Sequence, residues 1–506
     1  MKTPTSATYR PHPHLYEINT WAWVTELSRK EGRKIRLGDV PDREWDALEA
    51  KGFDFLWLMG IWQRSSESRR IAQSDPQLIA SYDRALPGWR PDHVVGSPYA
   101  IADYRPDPEV ATWDDLDQVR EKLHRRGIKL VLDFVPNHTA RDHLWVETHP
   151  EYYVTGTAED VRRNPDGFFE ARSRSGAYFV AHGKDPYFPA WSDTAQLNYF
   201  NPATRTAMMK ELRTIARHCD GVRCDMAMLV LNDVFAKTWS HVAAGTRPDR
   251  EFWTETIGAL PGLVWIAEVY WDLEWHLQQL GFHFTYDKRL YDRLRNPSPR
   301  DVARHLTADF AYQSRLVRFL ENHDEPRSAA VFGKDRLPAM GTLVATLPGM
   351  RLYHHGQLEG KRIRLPVQLC MAADEVPDQA YLAFYDRMLR ITDEEVFHQD
   401  RWRLLAVHAA GDGSHENVIA YQWRSSTAWK IVVVNLDAGV AQGRVRLEDE
   451  GGTGLGGANT YAFFDQLHGQ VYERPRENLI QDGLTVRLDG FGAHIFAVSP
   501  APRGHP

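Results

Sequence analysis

Residues 114–138 read DDLDQVREKLHRRGIKLVLDFVPNH, and they carry the pattern that decides the fold. Leu116, Val119 and Leu123 recur at three- and four-residue spacing, which predicts an amphipathic helix, and Gly127 then supplies a stop. IKLVLDFV follows as an apolar run of strand length, and it ends in the polar pair Asn137 and His138. Seven more runs of this kind flank it: LYEIN (15–19), FDFLWLMGI (53–61), GVRCDM (221–226), LVWIAEV (263–269), FHFTY (282–286), RFLEN (318–322) and MRLYHH (350–355). Helical patterns such as DREWDALEAKG and RTAMMKELRTIARH lie between them. Eight strands alternating with helices is the count that closes a (β/α)8 TIM barrel of the α/β class. A six-stranded doubly wound sheet is the rival, but no G-x-G-x-x-G opens the first strand–helix turn.

Two segments break the alternation. Residues 139–197 are rich in Gly, Pro, Asp and aromatics without helical period, which predicts a small inserted domain after the third strand. From about residue 400 the chain turns to short alternating runs, among them WKIVVVNLD, TYAFFDQL and AHIFAVS. These predict a C-terminal antiparallel β-sandwich, with GGTGLGGANT (451–460) as a hairpin tip. The expected division is barrel at 1–138 and 198–398, insert at 139–197 and sandwich at 399–506.

The chain has 506 residues, with 61 Lys and Arg against 68 Asp and Glu, a net charge of -7. No nucleic-acid partner is expected from that balance. No run of 18 apolar residues occurs, so no membrane span is expected. The first residues show no secretory pattern, and three sparse cysteines, Cys219, Cys224 and Cys370, read as reduced and buried. A cytoplasmic location is the expectation. Arg64–Arg90, where arginines mix with acids, reads as a solvated insertion.

Three carboxylates stand at run ends: Asp225, Glu268 and Asp324. Cleaving a glycosidic bond with retention needs a carboxylate nucleophile and a carboxylic acid about 5–5.5 Å apart. Neighbouring strands lie about 4.7–4.9 Å apart, so the fourth and fifth strands can present Asp225 and Glu268 at that separation. Arg223, two residues before Asp225, would point the same way and keep a nucleophile ionised. His138 and His323 would donate to sugar hydroxyls. Trp62, Trp89, Tyr187, Phe188, Trp191, Tyr270 and Trp271 could be ring platforms or core. His138, His323, His354 and His355 are too dispersed for a metal-dependent barrel hydrolase.

DFVPNH (133–138), GVRCDMAM (221–228), WIAEVY (265–270) and FLENHD (319–324) resemble the four signature regions of the α-amylase family, glycoside hydrolase family 13, in the family's order. SPYAIADY (97–104) and QLNYFNPATR (196–205) resemble two further family segments, so the likeness runs over about residues 15–360. It is that of an intracellular bacterial-type member of unassigned subfamily. The resemblance implies a barrel with an inserted domain B, a β-sandwich domain C and retaining α-glucan chemistry. It casts Asp225 as nucleophile, Glu268 as acid/base and Asp324 as the residue that holds the distorted sugar. Arg223, His138, His323 and Tyr99 would complete the subsite for the reacting ring.

Met228 and Leu229 stand where many family amylases carry a Lys and a His that serve the acceptor side and calcium. Asn137 remains as a calcium ligand in the family manner or as a turn residue bonding its own loop, and no cofactor is expected. Gly96 stands where exo-acting α-glucosidases often carry an Asp, which leans toward longer chains. The leading reading is hydrolysis of α-1,4-type linkages in maltooligosaccharides or glycogen-like glucans. A transglycosidase (glucanotransferase, maltosyltransferase or trehalose-forming isomerase) is the alternative within the family, and a non-catalytic glucan-binding protein lies outside it.

Overall fold

A computed structural model describes residues 9–242, 244–296, 298–447 and 455–501. Eight parallel strands close into a barrel in chain order: β1 (His14–Asn19), β2 (Phe55–Met59), β3 (Lys129–Phe134), β4 (Gly221–Cys224), β5 (Val264–Ala267), β6 (Phe284–Tyr286), β7 (Leu316–Arg318) and β8 (Met350–His354). Gly221 of β4 sits between Val131 of β3 and Val264 of β5 in register, so the ends of these three strands emerge together. Trp113–His124 forms the helix expected before β3. Thr112 starts it through a reciprocal cap with Asp115, and Leu116, Val119 and Leu123 are its buried stripe.

Most strands are shorter than their expected runs, and one is displaced from its run. The run RFLEN does not stay extended, because β7 stops at Arg318. Beyond it the Asn322 side-chain oxygen accepts from the N–H groups of Asp324 and Glu325, a local turn that competes with strand pairing. Asp324 therefore sits on the loop after β7 and not at the strand's end.

The chain divides into two compact units. The first takes in Leu15–Tyr286 and Ile363–Asp374; the second takes in Arg10–His14, Asp287–Arg362 and the chain from Glu375. In the first unit, the stretch after β3 builds a three-stranded antiparallel sheet with Gly176–Ala181 between Thr155–Gly156 and Phe168–Ser173. His138–Ala140 pairs with Thr194–Gln196 and ties the two ends of this excursion together.

Arg64–Arg90 is not a solvated insertion. It folds into the helices Ser66–Ala72 and Pro76–Ala85, and Asp75 caps the second by accepting from Gln77 and Leu78 N–H. Tyr82 is fully buried among Ala72, Leu86, Val94 and Leu369, and Val94 bridges to Leu369. The charges that suggested solvent lie on the outer face, including the exposed Arg69 and Arg70.

In the second unit, a six-stranded antiparallel sheet runs in the order Trp402–Leu405, Val418–Arg424, Trp429–Asn435, Ala493–Pro500, Thr460–Asp465, Val471–Pro475. A three-stranded sheet of Val407–Ala409, Ala441–Val445 and Leu484–Leu488 accompanies it. Ile431 and Val433 join Val445, Phe463 and Leu488 in one core. Val432 and Val434 face the other way, into a core with Met340 and Leu343 of the helix Gly333–Thr346. Both faces of the central strand are covered, which is why its sequence is an unbroken apolar run. Residues 451–454 of the expected hairpin tip lie outside the described residues. Among the described residues no helix is long and apolar enough to cross a membrane.

Burial leaves its mark on the histidines. His12 accepts from Gly349 N–H through Nδ1, and its Nε2 lies 3.2 Å from Gln399 O, which suits a neutral ring. Burial and the Arg351 charge lower its pKa to about 3; burial lowers His138 and His143 to about 4. An unfolded imidazole takes a proton near pH 6.5, so below that pH the unfolded chain binds more protons than the folded one. Stability is fully present above pH 6.5 and is lost as the pH falls toward 4, by about 1.4 kcal/mol per pH unit for each such imidazole. Thermal melts should show a midpoint falling steadily from pH 6.5 to pH 4.5, and a flat midpoint over that range would contradict the reading.

Candidate active site

β4 builds the centre. Val222 and Cys224 alternate with Arg223 and Asp225, and the period of two sends the last two to the same side. Arg223 is 1% exposed, Glu268 4% and Asp225 6%, so this is a charged cluster held almost out of water. Arg223 Nη1 donates to Asp225 Oδ1 at 2.7 Å, and Nη2 donates to Glu268 Oε2 at 2.7 Å. One guanidinium thus carries both carboxylates, each from a different strand end. Burial alone would weaken its hold on a proton, but the charges of Glu268 and Asp225 and the rings of Tyr99 and Tyr286 reverse that and raise its pKa well above the ordinary value. The cation is fixed and cannot itself act as an acid.

Glu268 has two further donors. The Met226 N–H reaches Oε2 at 2.8 Å, and the Tyr270 hydroxyl reaches Oε1 at 2.6 Å. Met226 adopts a left-handed backbone, φ 42°, which turns its N–H back toward Glu268 directly after Asp225. The turn is anchored beneath: Ala227 N–H donates to Glu268 O at 2.9 Å and Trp253 Nε1 donates to Ala227 O at 2.8 Å.

Three aromatic rings wall in the guanidinium, Trp57 at 5.1 Å, Tyr99 at 5.4 Å and Tyr286 at 5.7 Å. Asp133, buried in β3, lies 3.9 Å from Arg223 Nη1 and accepts from Trp57 Nε1 at 3.2 Å and Gly60 N–H at 2.9 Å. Asp133 holds the floor of the cluster while Asp225 and Glu268 occupy its upper edge.

Of the residues singled out in the sequence, the first unit brings together Asp225, Glu268, Arg223 and Tyr99. His138 is buried beside them, with Nε2 3.2 Å from Tyr99 O and Nδ1 3.3 Å from Asn137 Nδ2. As a neutral ring it gives its proton to the Tyr99 carbonyl, so the donor expected for a sugar hydroxyl is already engaged and His138 positions Tyr99. His323 and Asp324 belong to the second unit, where His323 Nε2 lies 2.9 Å from Asp324 Oδ2 and the Asp324 side chain is 43% exposed. Beneath them Glu321 is fully buried and accepts from Ser328 N–H at 2.6 Å, with Arg327 Nη1 at 3.0 Å and His354 Nδ1 at 3.1 Å from its other oxygen.

Of the aromatics read as platforms or core, Trp62 is core: it is buried and donates to Asp133 O at 2.8 Å. Trp89 is partly buried and packs edge-on against Tyr82. Tyr187 and Phe188 of that set are exposed, and Tyr187 meets the half-buried Trp271 edge-on at 5.0 Å. Gly96 has φ +89°, and a Cβ there would stand 3.0 Å from Arg69 N and 3.3 Å from Ser65 O. Glycine lets the loop press on the backbone of the helix Ser66–Ala72.

The calcium site suggested by Asn137 does not fit these residues. Gln196 Nε2 points its donors at both Asn137 Oδ1, 3.0 Å, and Asn137 O, 2.9 Å. An amide donor sits where a cation would need those oxygens, and Met228 and Leu229 are buried apolar side chains.

Tyr270 was expected only as a platform or core ring; its hydroxyl on Glu268 was not. The spacing signal existed, since Glu268 and Tyr270 are two residues apart, as are Arg223 and Asp225. Tyr270→Phe removes one donor from a charged acceptor, an interaction of about 1.5–3 kcal/mol. Turnover should fall roughly 10- to 100-fold with the melting temperature little changed. Unchanged turnover would show that the hydroxyl contributes nothing to the work of Glu268.

The model of the α-amylase catalytic domain matches residues 46–362 of this chain. Alpha-amylase 3 of Dictyoglomus thermophilum is 25% identical over 297 residues, 52% of this chain and 54% of that protein. Alpha-amylase MalA of Haloarcula japonica is 26% identical over 401 residues, 77% of this chain and 51% of that protein. The chain spans about half the length of these curated relatives. The crystal structure of a maltogenic alpha-amylase, AmyB from Thermotoga neapolitana, superposes with a TM-score of 0.67 at 20% identity, covering 96% of this chain and 98% of that one, and so shares its fold. With the catalytic-domain model matched over more than half its length, the barrel closed and two carboxylates on one arginine at adjacent strand ends, the chain belongs to the α-amylase family of glycoside hydrolases.

Proposed function

We propose that this enzyme hydrolyses α-1,4-type linkages of maltooligosaccharides or glycogen-like glucans with retention, through a covalent glycosyl-enzyme intermediate. The observation that carries the reading is the shared Arg223, which holds Asp225 and Glu268 close together. Two carboxyl groups on one guanidinium suit direct attack on the sugar. That is the arrangement a retaining enzyme uses, with its two carboxyl groups about 5–5.5 Å apart.

Asp225 attacks the anomeric carbon, and Glu268 gives its proton to the departing oxygen. Glu268, as carboxylate, then takes a proton from the incoming water, which cleaves the ester on Asp225. The bond balance closes: one glycosidic bond is exchanged for an ester, and the ester for a hydroxyl. Arg223 stays charged throughout and steadies whichever carboxylate is negative. Tyr99 is assigned to the ring face of the reacting sugar. Tyr187 and Phe188 offer exposed ring surface for further glucose units of a chain, with the half-buried Trp271 edge-on to Tyr187. The chemistry needs no cofactor, since both polar events are carried by carboxyl groups.

Incubation with maltoheptaose, with products followed over time by chromatography, tests the reading. Shorter sugars alone support hydrolysis. Longer sugars alongside them mean that a sugar hydroxyl takes the place of water and the enzyme is a transglycosidase. No change in the substrate overturns the α-1,4 assignment.

A further inference from the structure

The second unit holds a cluster that the proposed reaction does not use. Asp465 ends the strand Thr460–Asp465, His468 lies in the turn that follows, and His494 lies on Ala493–Pro500, the strand paired with it. The Asp465 side chain is fully buried, yet both imidazoles converge on one of its oxygens: His468 Nδ1 at 2.7 Å and His494 Nδ1 at 2.6 Å from Oδ2. The other oxygen accepts the Leu467 N–H at 3.1 Å. The three donor atoms lie within 4.8 Å of one another.

We propose that Asp465, His468 and His494 form a zinc-binding site that clips the turn after Thr460–Asp465 to the strand Ala493–Pro500. Two imidazole nitrogens and a carboxylate oxygen are the ligand types zinc takes, and nitrogen donors disfavour calcium and magnesium. The site is preoriented on one side and adjustable on the other. The His494 ring stacks on Phe496 at 5.1 Å and 20°, which fixes its plane. His468 is 53% exposed and sits on a turn, so it can make the shift of roughly 0.7 Å that turns a 2.7 Å hydrogen-bond contact into the ~3.4 Å spacing of two tetrahedral ligands bonded at about 2.0–2.2 Å to a shared ion. Each imidazole would ligate through Nδ1 with its proton on Nε2. The exposed side toward His468 leaves a fourth position for water. The three ligands are brought together by a tight turn and by one pair of strands, so a bound ion cross-links segments 26 residues apart in sequence, from His468 to His494.

The test uses the full chain without a histidine tag, stripped with a chelator and titrated with zinc chloride against a chromophoric chelator. The wild type should take up one zinc per chain more than His468→Ala/His494→Ala, and zinc should raise the melting midpoint of the wild type alone by roughly 2–4 °C. If the double variant fails to fold by circular dichroism, His468→Ala, at an exposed position, should still bind at least about 10-fold more weakly. Equal uptake by wild type and variants would overturn the proposal, as would displacement of the zinc by millimolar calcium or magnesium.

Discussion

Asp225→Asn should reduce turnover on maltooligosaccharides on the order of 10⁴-fold or more while the protein still folds. The substitution keeps the shape of the side chain and replaces the carboxylate, which the proposed reaction needs as nucleophile, with a neutral amide. Folding should survive because Arg223 keeps its bond to Glu268 and its three aromatic walls. Asp225 is also held from the backbone, through its N–H to Phe134 O at 2.9 Å, and that bond does not depend on the carboxylate. Purified protein with an unchanged circular dichroism spectrum and more than a few per cent of wild-type rate would move the nucleophile elsewhere.

Glu268→Gln should separate the two halves of the reaction. General acid catalysis contributes about 10²–10⁴-fold, so natural glucans should slow by that much. A glycosyl fluoride needs little help to leave, and its glycosylation step should fall by less than about 10-fold. The second step, which needs a base to activate water, should become rate-limiting, and the intermediate should accumulate. The alkaline limb of the kcat/KM profile should vanish with the carboxyl group, although in the wild type the two carboxylates on Arg223 titrate as a coupled pair. Equal loss of the first step on both donors would take the acid/base role away from Glu268.

Much of the fold was legible because barrel strands buried on both faces spell short apolar runs, and the intervening helices carry a period of three and four. Asp225 and Arg223 were legible for a related reason: a charged pair two residues apart at the end of such a run can only face one way. Other parts were hidden in ordinary residue types. Tyr270 looks in sequence like any core aromatic, and only the geometry shows its hydroxyl on Glu268. Asp133 lies inside the apolar run of β3, where Trp57 and Gly60 from the neighbouring strand satisfy it, and no local pattern foretells partners some 70 residues away. The helices Ser66–Ala72 and Pro76–Ala85 were masked because arginines and acids are interspersed with the few apolar residues that close a small core. Their decisive partner, Leu369, arrives almost 300 residues later. Gly96 was read for the Asp it lacks, and its close approach to the backbone of Ser66–Ala72, a further reason for glycine there, shows only in the structure.

The central claim is that Asp225 carries the sugar. Glu268→Gln protein incubated with α-maltosyl fluoride, quenched in acid, digested and read by peptide mass spectrometry tests it directly. The account predicts a maltosyl adduct on the peptide containing GVRCDM, with fragmentation placing the added mass on Asp225. No adduct while fluoride is still released, or an adduct on another carboxylate, would contradict it.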